Sequence, residues 1–273
     1  MGSSIKKRAP RGVLDVARSA HATSSTRLRV LTWNVGEVYW PWQGNQLKDR
    51  DVHFVVEALA ELDPDVVLLQ ELADRGQLEA LERDRFGEQR YDGATPGCCG
   101  YDRHVAVLVK RELGARFYEH VLAPTSRGLV EARFDVPVGE GRIEARAFSL
   151  HFDVFQAERR LAQARTAMGF VGDPGELTIA GGDFNYDPTA STRLGRVADE
   201  RTEAELQRVF VDVAEDVGPT LIGLLRVDRM FAGGRALAGA DSRTTAHRTP
   251  LGDHAPVLCD QRLRAHAARG GRD

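Results

Sequence analysis

With 273 residues, of which 42% are hydrophobic and 28% charged, the chain can bury a sizeable core, and this balance excludes disorder over most of its length. The formal net charge of −3 conceals basic ends: residues 1–29 hold seven Lys or Arg and one acid, and residues 261–273 hold four Arg and one acid, so the totals of 37 basic and 40 acidic residues leave 26 and 38 in residues 30–260, a net of −12. Such a core does not advertise a broad electropositive surface for a polyanion, and part of its acid can belong to a cation site.

The opening, MGSSIKKRAPRGVLDVARSAHATSSTR, is basic without an apolar h-region and makes a poor signal peptide; Lys6 stands where the N-myristoylation pattern wants Ser or Thr. Residues 1–26 are expected to be a flexible basic leader with a short helix near 13–21, followed by one domain over 27–264 and a flexible tail over 265–273. From Leu28, LRVLTWNV reads as a strand, and QLKDRDVHFVVEALAELD places Val52, Val55, Leu59 and Leu62 at helical spacing. Asp63–Pro64 stops that helix, and DVVLLQEL is a second buried strand. A short helix over about 76–85 leads into YDGATPGCCGYDR, which reads as a glycine-rich loop. The adjacent Cys98 and Cys99, with the distant Cys259, give neither a disulfide framework nor a zinc spacing, so a reduced, cytoplasmic setting is expected.

Three strand-like runs follow, HVAVLVK, GLVEARFDV and RIEARAFSLHF, the last two alternating as in an antiparallel ladder with one wet face. QAERRLAQARTAMGFV is an amphipathic helix, ELTIAGGD a strand, residues 203–209 a helix, and LLRVDRMFA and APVLCDQRL the closing strands. No apolar run is long enough to span a bilayer. No internal repeat is visible, and strands and helices mix without strict βαβ alternation. The expectation is therefore an α+β fold, with mainly antiparallel sheets packed face to face and helices outside.

The polar residues at strand ends carry the chemistry. In ELTIAGGDFNYDP, Leu177, Ile179 and Ala180 read as a buried strand, Gly181–Gly182 allow close approach to the backbone, and Asp183 and Asn185, two residues apart, would project to one side. Taken alone the stretch is equally a turn, since Gly, Asp and Asn are ordinary turn residues. Yet Asn34 follows VLTW, Glu71 follows VVLLQ, His151 ends ARAFSL, Asp228 interrupts LLRVDRMF, and Asp253–His254 precede the last strand. Each alone reads as a cap or a solvated strand end. Six apolar runs each delivering a carboxylate, amide or imidazole point to a shared site.

The ordered set TWNV, LLQE, SLHF, GGDFN, RVDRMF and GDHAPV resembles the endonuclease/exonuclease/phosphatase superfamily, the deoxyribonuclease-I-like fold, over roughly residues 28–263. Arg160 and Gln163 after His151, and GPT before RVD, add softer similarity. The resemblance implies a four-layer α/β sandwich with two central mainly antiparallel sheets flanked by helices, and one metal-dependent phosphoesterase site at the strand ends. It implies Glu71 as the chief ligand of Mg²⁺ or Mn²⁺, with Asn34 close by on metal or phosphate and Asp253 beside the metal, directly or through water. It further implies that Asp183 orients or deprotonates the attacking water and that Asn185 holds the phosphate or that nucleophile. His254 would contact the scissile phosphate, paired with Asp228, and His151 falls where relatives place a His or Tyr near the leaving oxygen. Where many relatives carry a second acid, this chain has Gly36, with Glu37 adjacent and pointing the other way in a regular strand.

The leading expectation is a metal-dependent phosphodiesterase, a nuclease acting on DNA, with nucleic acid as substrate and a monomeric assembly. A second keeps the chemistry and takes a phospholipid, inositol phosphate or small phosphoester, which the acidic core favours; a third is a catalytically dead binding module using the same groove. The loop GEVYWPWQGN places Tyr39, Trp40 and Trp42 directly after a catalytic strand end, where they either contact substrate or cover the sheet as an apolar lid.

Overall fold

The strand from Thr26 to Asn34 (β1) is apolar on both faces: Leu28 and Val30 enter one buried cluster, Leu31 and Trp33 another. A strand buried on both sides must lie between layers. The computed structural model, which describes residues 26–36, 47–96, 104–123, 127–187, 193–244 and 252–264, supplies them as two six-stranded sheets face to face. The first sheet joins β1 to β2 (Val66–Leu72), β3 (Tyr91–Ala94), β4 (His104–Lys110), β11 (Leu237–Thr244) and β12 (Val257–Leu263), in the order β11-β12-β1-β2-β4-β3. The second joins β5 (Arg116–Leu122), β6 (Arg127–Val138), β7 (Gly141–His151), β8 (Leu177–Asp183), β9 (Val211–Asp212) and β10 (Asp228–Gly233), in the order β5-β6-β7-β8-β10-β9.

Helices α1 (Val52–Leu62) and α2 (Arg75–Leu81) cover the outer face of the first sheet, while α3 (Ala157–Val171) and α4 (Arg193–Gln207) cover that of the second. Three apolar clusters fill the three interfaces: one between the sheets, one under α1 and α2, and one under α3 and α4. The expected four-layer α+β sandwich is present, with mainly antiparallel sheets. Among the described residues no helix is long and apolar enough to cross a membrane.

The repeat that the sequence conceals lies in the topology. Each sheet reads antiparallel, antiparallel, parallel, antiparallel, antiparallel from one edge to the other. The single parallel pair of each sheet, β1–β2 and β7–β8, is bridged by a crossover helix, α1 and α3. The C-terminal ends of both parallel pairs lie at one end of the sandwich and deliver Asn34, Glu71, His151 and Asp183 there.

Several local expectations need correction. Tyr91–Ala94, read as the start of a loop, is a strand paired with β4. The helix expected over 203–209 runs from Arg193 to Gln207; among its described side chains the buried ones are Ala198, Asp199, Thr202 and Leu206, half of them polar, which hides the helical period. Strands β5 and β11 lie at sheet edges, where half-exposed polar residues blur any apolar alternation. β6 and β7 have a wet face only in their distal halves, around Asp135–Glu144; near the site α3 buries the outer face too. In LLRVDRMFA only Asp228 onward is strand, the preceding residues forming a tight turn. The short helix expected near 13–21 lies outside the described residues.

Candidate active site

Period-two alternation carries the inter-sheet face of each strand into one polar cluster. In β1 the inward series Leu28, Val30 continues to Thr32 and Asn34; in β7 Ile143, Ala145, Ala147 continues to Ser149 and His151; in β8 Leu177, Ile179 continues to Gly181 and Asp183. In β10 Met230 and Ala232 face inward, so Asp228, at the start of the strand, does too. The glycine pair has a steric reason. A Cβ on Gly181 would lie 2.7 Å from Leu68 Cδ1, across the sandwich, and one on Gly182 would lie 1.9 Å from the Leu150 carbonyl oxygen. At Gly182 the obstacle is backbone, so only glycine lets the two parallel strands run at this spacing, whereas a side chain at Gly181 would have to displace Leu68.

Glu71 reaches the cluster differently. Regular alternation would aim it at α1 and α2, with Val67 and Leu69. Instead the β2–β4 register slips by one residue between Leu69 and Leu72, and Glu71 sits at φ 65°. The bulge makes Glu71 the extra residue and turns its carboxylate to the site, 3.8 Å from His151 Nε2.

Asp183, 2% exposed, organises the centre. Its Oδ2 accepts from Asn34 Nδ2 at 3.1 Å, and its Oδ1 accepts from the Asn185 backbone N–H at 2.9 Å. His151 Nε2 lies 3.6 Å and His254 Nε2 3.9 Å from Asp183 Oδ2. His254 Nδ1 is bound to Asp228 Oδ2 at 2.7 Å, and its Nε2 lies 3.9 Å from Asp253 Oδ1. Burial pushes the Asp183 carboxyl up to about 6, with His254 opposing the rise and Asp228 adding to it. Burial alone would lower the His254 pKa, but Asp228, followed by Asp183 and Asp253, raises it to about 10. Burial also raises Asp253, His254 again opposing. At neutral pH the site therefore combines an imidazolium with a carboxylate that can take a proton.

Backbone supports hold these groups in place. Trp33 Nε1 donates to the His254 carbonyl at 3.2 Å, and Thr220 Oγ1 accepts from the Asp228 backbone N–H at 3.0 Å. Arg127 donates to the carbonyls of His151 and Phe152, and Gln163 accepts from the Asp153 N–H at 2.8 Å. Thr220 and Gln163 belong to segments flagged in the sequence. Arg127, in a strand of ordinary composition, carried no such signal.

Asn34, Glu71, His151, Asp183, Asp228, Asp253 and His254 thus meet at one end of the sandwich. Asn185 is placed by other means than expected. β8 ends at Asp183, and Asn185 sits at φ 52° with Nδ2 donating to the Phe152 carbonyl at 3.2 Å, so turn geometry rather than strand alternation sets it beside Asp183. Gly36 donates its N–H to Asn34 Oδ1 at 3.0 Å, and a Cβ on Gly252 would come within 2.8 Å of the Gly36 carbonyl oxygen, so backbone rather than an acid occupies that place. Tyr39, Trp40 and Trp42 lie outside the described residues.

The donor chemistry fits a hard divalent cation. One ligand atom each from Asp183, Asp228 and His254 lie within 4.8 Å of one another, and Asp228 Oδ1 is buried with no hydrogen-bond partner among the described residues. Carboxylate oxygens with a single imidazole suit Mg²⁺ or Mn²⁺ better than a thiolate-seeking metal. Glu71 and Asp253 bring two further carboxylates to the same end of the sandwich, 3.8 Å from His151 Nε2 and 3.9 Å from His254 Nε2.

The profile of the Endonuclease/Exonuclease/phosphatase family matches residues 31–254. No curated protein matches the sequence. Among solved structures, an endonuclease/exonuclease/phosphatase from Bacteroides vulgatus is similar with a TM-score of 0.64 at 20% identity, over 88% of this chain and 100% of that one. A family protein from Bacteroides thetaiotaomicron is similar with a TM-score of 0.61 at 17% identity, over 88% and 99% of the two chains. Truncated Caenorhabditis elegans TDP2 gives 0.60 at 15% identity, over 88% and 98%. At such identities the structural likeness speaks for the fold.

Proposed function

The chain belongs to the endonuclease/exonuclease/phosphatase family, and from that premise we propose that it is a divalent-metal-dependent phosphodiesterase, a nuclease that hydrolyses DNA. The observation that carries this reading is the Asp228–His254 pair at 2.7 Å beside a buried Asp183, two strand ends of the second sheet meeting the segment that leads into β12 of the first. In this reading Asp183 orients a water and takes its proton, for which a pKa of about 6 is well matched near neutral pH. Asn34 holds Asp183 in the required rotamer. His254, kept protonated and oriented by Asp228, donates to a phosphate oxygen as negative charge builds there. His151 stands by the leaving oxygen, and Asn185 faces the phosphate or the nucleophile. Glu71, with Asn34 and Asp253 nearby, would hold Mg²⁺ or Mn²⁺, which when bound neutralises charge on the phosphate and its leaving group.

A second reading, a phospholipid or other small phosphoester as substrate, is favoured by one feature. Ile222 and Leu224 are 62% and 71% exposed on a turn whose Ile222 N–H is bonded to the Asp253 carbonyl at 2.7 Å, and Ile222 sits at φ 43°, a strained angle for a β-branched residue. The discriminating experiment is a hydrolysis panel with Mg²⁺ or Mn²⁺ on supercoiled, single-stranded and abasic DNA, RNA, sphingomyelin and inositol phosphates. DNA cleavage that chelator abolishes supports the first reading. Turnover confined to sphingomyelin or inositol phosphates transfers the proposal to the second, and inertness on every substrate leaves a binding module.

A further inference from the structure

Glu71 occupies a backbone conformation in which glycine would be at ease. At φ 65° an L side chain is disfavoured, so a glutamate kept there is kept for its carboxylate, and its surroundings must enforce the bend. The main-chain groups around the bend are held from several directions. The Gln70 carbonyl accepts from the Val35 N–H at 3.1 Å, and the Glu71 carbonyl accepts from the Leu47 N–H at 2.9 Å. Those two bonds come from the same sheet and its following loop.

A further set crosses the sandwich. Ser149, on β7 two residues before His151, donates its hydroxyl to the Leu69 carbonyl at 2.9 Å, immediately before the bulge. The same hydroxyl accepts from Gln70 Nε2 at 3.1 Å, which also donates to the Leu68 carbonyl at 3.1 Å. Ser149 and Gln70 are both fully buried, where a hydrogen bond is stronger; the Gln70 amide is held through its Nε2, its Oε1 having no partner among the described residues.

We infer that Ser149 and Gln70 form an inter-sheet clamp on the β2 bulge, and that they are positioning residues which set how Glu71 presents its carboxylate to a divalent cation. The inference rests on the reading of Glu71 as the chief cation ligand. It assigns the serine of SLHF and the glutamine of LLQE a job at a distance: they touch neither phosphate nor metal, yet they fix the angle of the group that does. Because the clamp joins β2 to β7, it also sets the spacing between Glu71 and His151.

The test is Mn²⁺ binding, read by electron paramagnetic resonance and by calorimetry, in wild type, Glu71→Gln, Ser149→Ala and Gln70→Met. Outer-shell partners of metal ligands typically govern affinity by about 10–100-fold. Ser149→Ala and Gln70→Met are expected to weaken Mn²⁺ binding within that range and to broaden the bound spectrum, while circular dichroism and cooperative melting persist. Glu71→Gln is expected to lose the tight site. If Glu71→Gln binds Mn²⁺ like wild type, the assignment of Glu71 as ligand falls, and the proposal with it. If Glu71→Gln loses binding but both clamp variants retain wild-type affinity and spectrum, the clamp alone is overturned. Loss of the fold in both clamp variants would also overturn it, showing that the two residues hold the sandwich together and do not tune the ligand.

Discussion

Asp228→Asn keeps the shape of a buried side chain and removes its charge, so its consequences can be worked from the His254 pair. The two residues are bonded at 2.7 Å, with side chains 0% and 8% exposed. Folding raises the His254 pKa from its ordinary 6.5 to about 10. A raised pKa contributes stability that is fully present below 6.5 and is lost as pH rises through about 10. At pH 7 about three units of the rise remain in force; at about 1.4 kcal/mol per unit the ceiling is about 4 kcal/mol. The His254 pKa should fall by about 1–3 units, as for loss of an adjacent opposite charge; this corresponds to a loss of about 1–4 kcal/mol, which relief of the Asp228 desolvation partly offsets. Imidazole NMR titration of the metal-free protein reads the pKa, and urea unfolding at pH 7 and pH 10 reads the stability difference, which should shrink at the higher pH. An unchanged His254 pKa, or a stability difference that is the same at both pH values, would refute the reasoning. Turnover should fall, since Asp228 orients and charges the imidazole.

Asp183→Asn should lower kcat by at least about 10²-fold, the usual scale for removing one preorganised group. It should also stabilise the metal-free protein: the Asp183 pKa is raised from 3.8 to about 6, so its ionisation weakens the fold as pH rises through 6. Thermal melts should show a gain at pH 7 that vanishes below about pH 4; a loss at pH 7 would count against this. Mg²⁺ or Mn²⁺ should raise the wild-type melting temperature, by the equivalent of about 2.7 kcal/mol at a hundred times Kd. Chelator should reverse that rise without unfolding the protein, and Glu71→Gln should show no rise. Trp40→Ala with Trp42→Ala should raise KM and leave kcat largely intact if the loop GEVYWPWQGN contacts substrate, and the KM effect should be strongly salt-dependent only for nucleic acid; an unchanged KM would remove the loop from recognition.

Much of the site was legible because a strand imposes period two on its side chains. Once Leu177 and Ile179 face the inter-sheet core, Asp183 must emerge on the same side at the strand end, and the same parity delivers Asn34, His151 and Asp228. Parity fails where the backbone departs from the pleat. Glu71 sits in a bulge and Asn185 in a left-handed turn, and both departures depend on hydrogen bonds from residues distant in sequence. The edge strands β5 and β11 and most of α4 were hidden for a different reason. β5 keeps only Leu122 fully buried among exposed charged and aromatic residues, and the inner faces of β11 and α4 use Thr, Asp and small residues held by partners such as the buried Arg160–Asp199 pair, so apolar periodicity under-reports them. The duplicated sheet order leaves no trace in the sequence, because each interface asks only for apolar residues of suitable volume.

The central claim is that Asp183, His254 and Asp228 work with a cation to hydrolyse a phosphodiester. It is tested most directly by DNA hydrolysis in Mg²⁺, in excess chelator and after Mg²⁺ is restored, with the wild type and Asp183→Asn assayed side by side. The account predicts cleavage that disappears on chelation, returns with Mg²⁺, and is at least about 10²-fold slower in Asp183→Asn. Wild-type turnover undiminished in chelator, or Asp183→Asn as active as wild type, would contradict it.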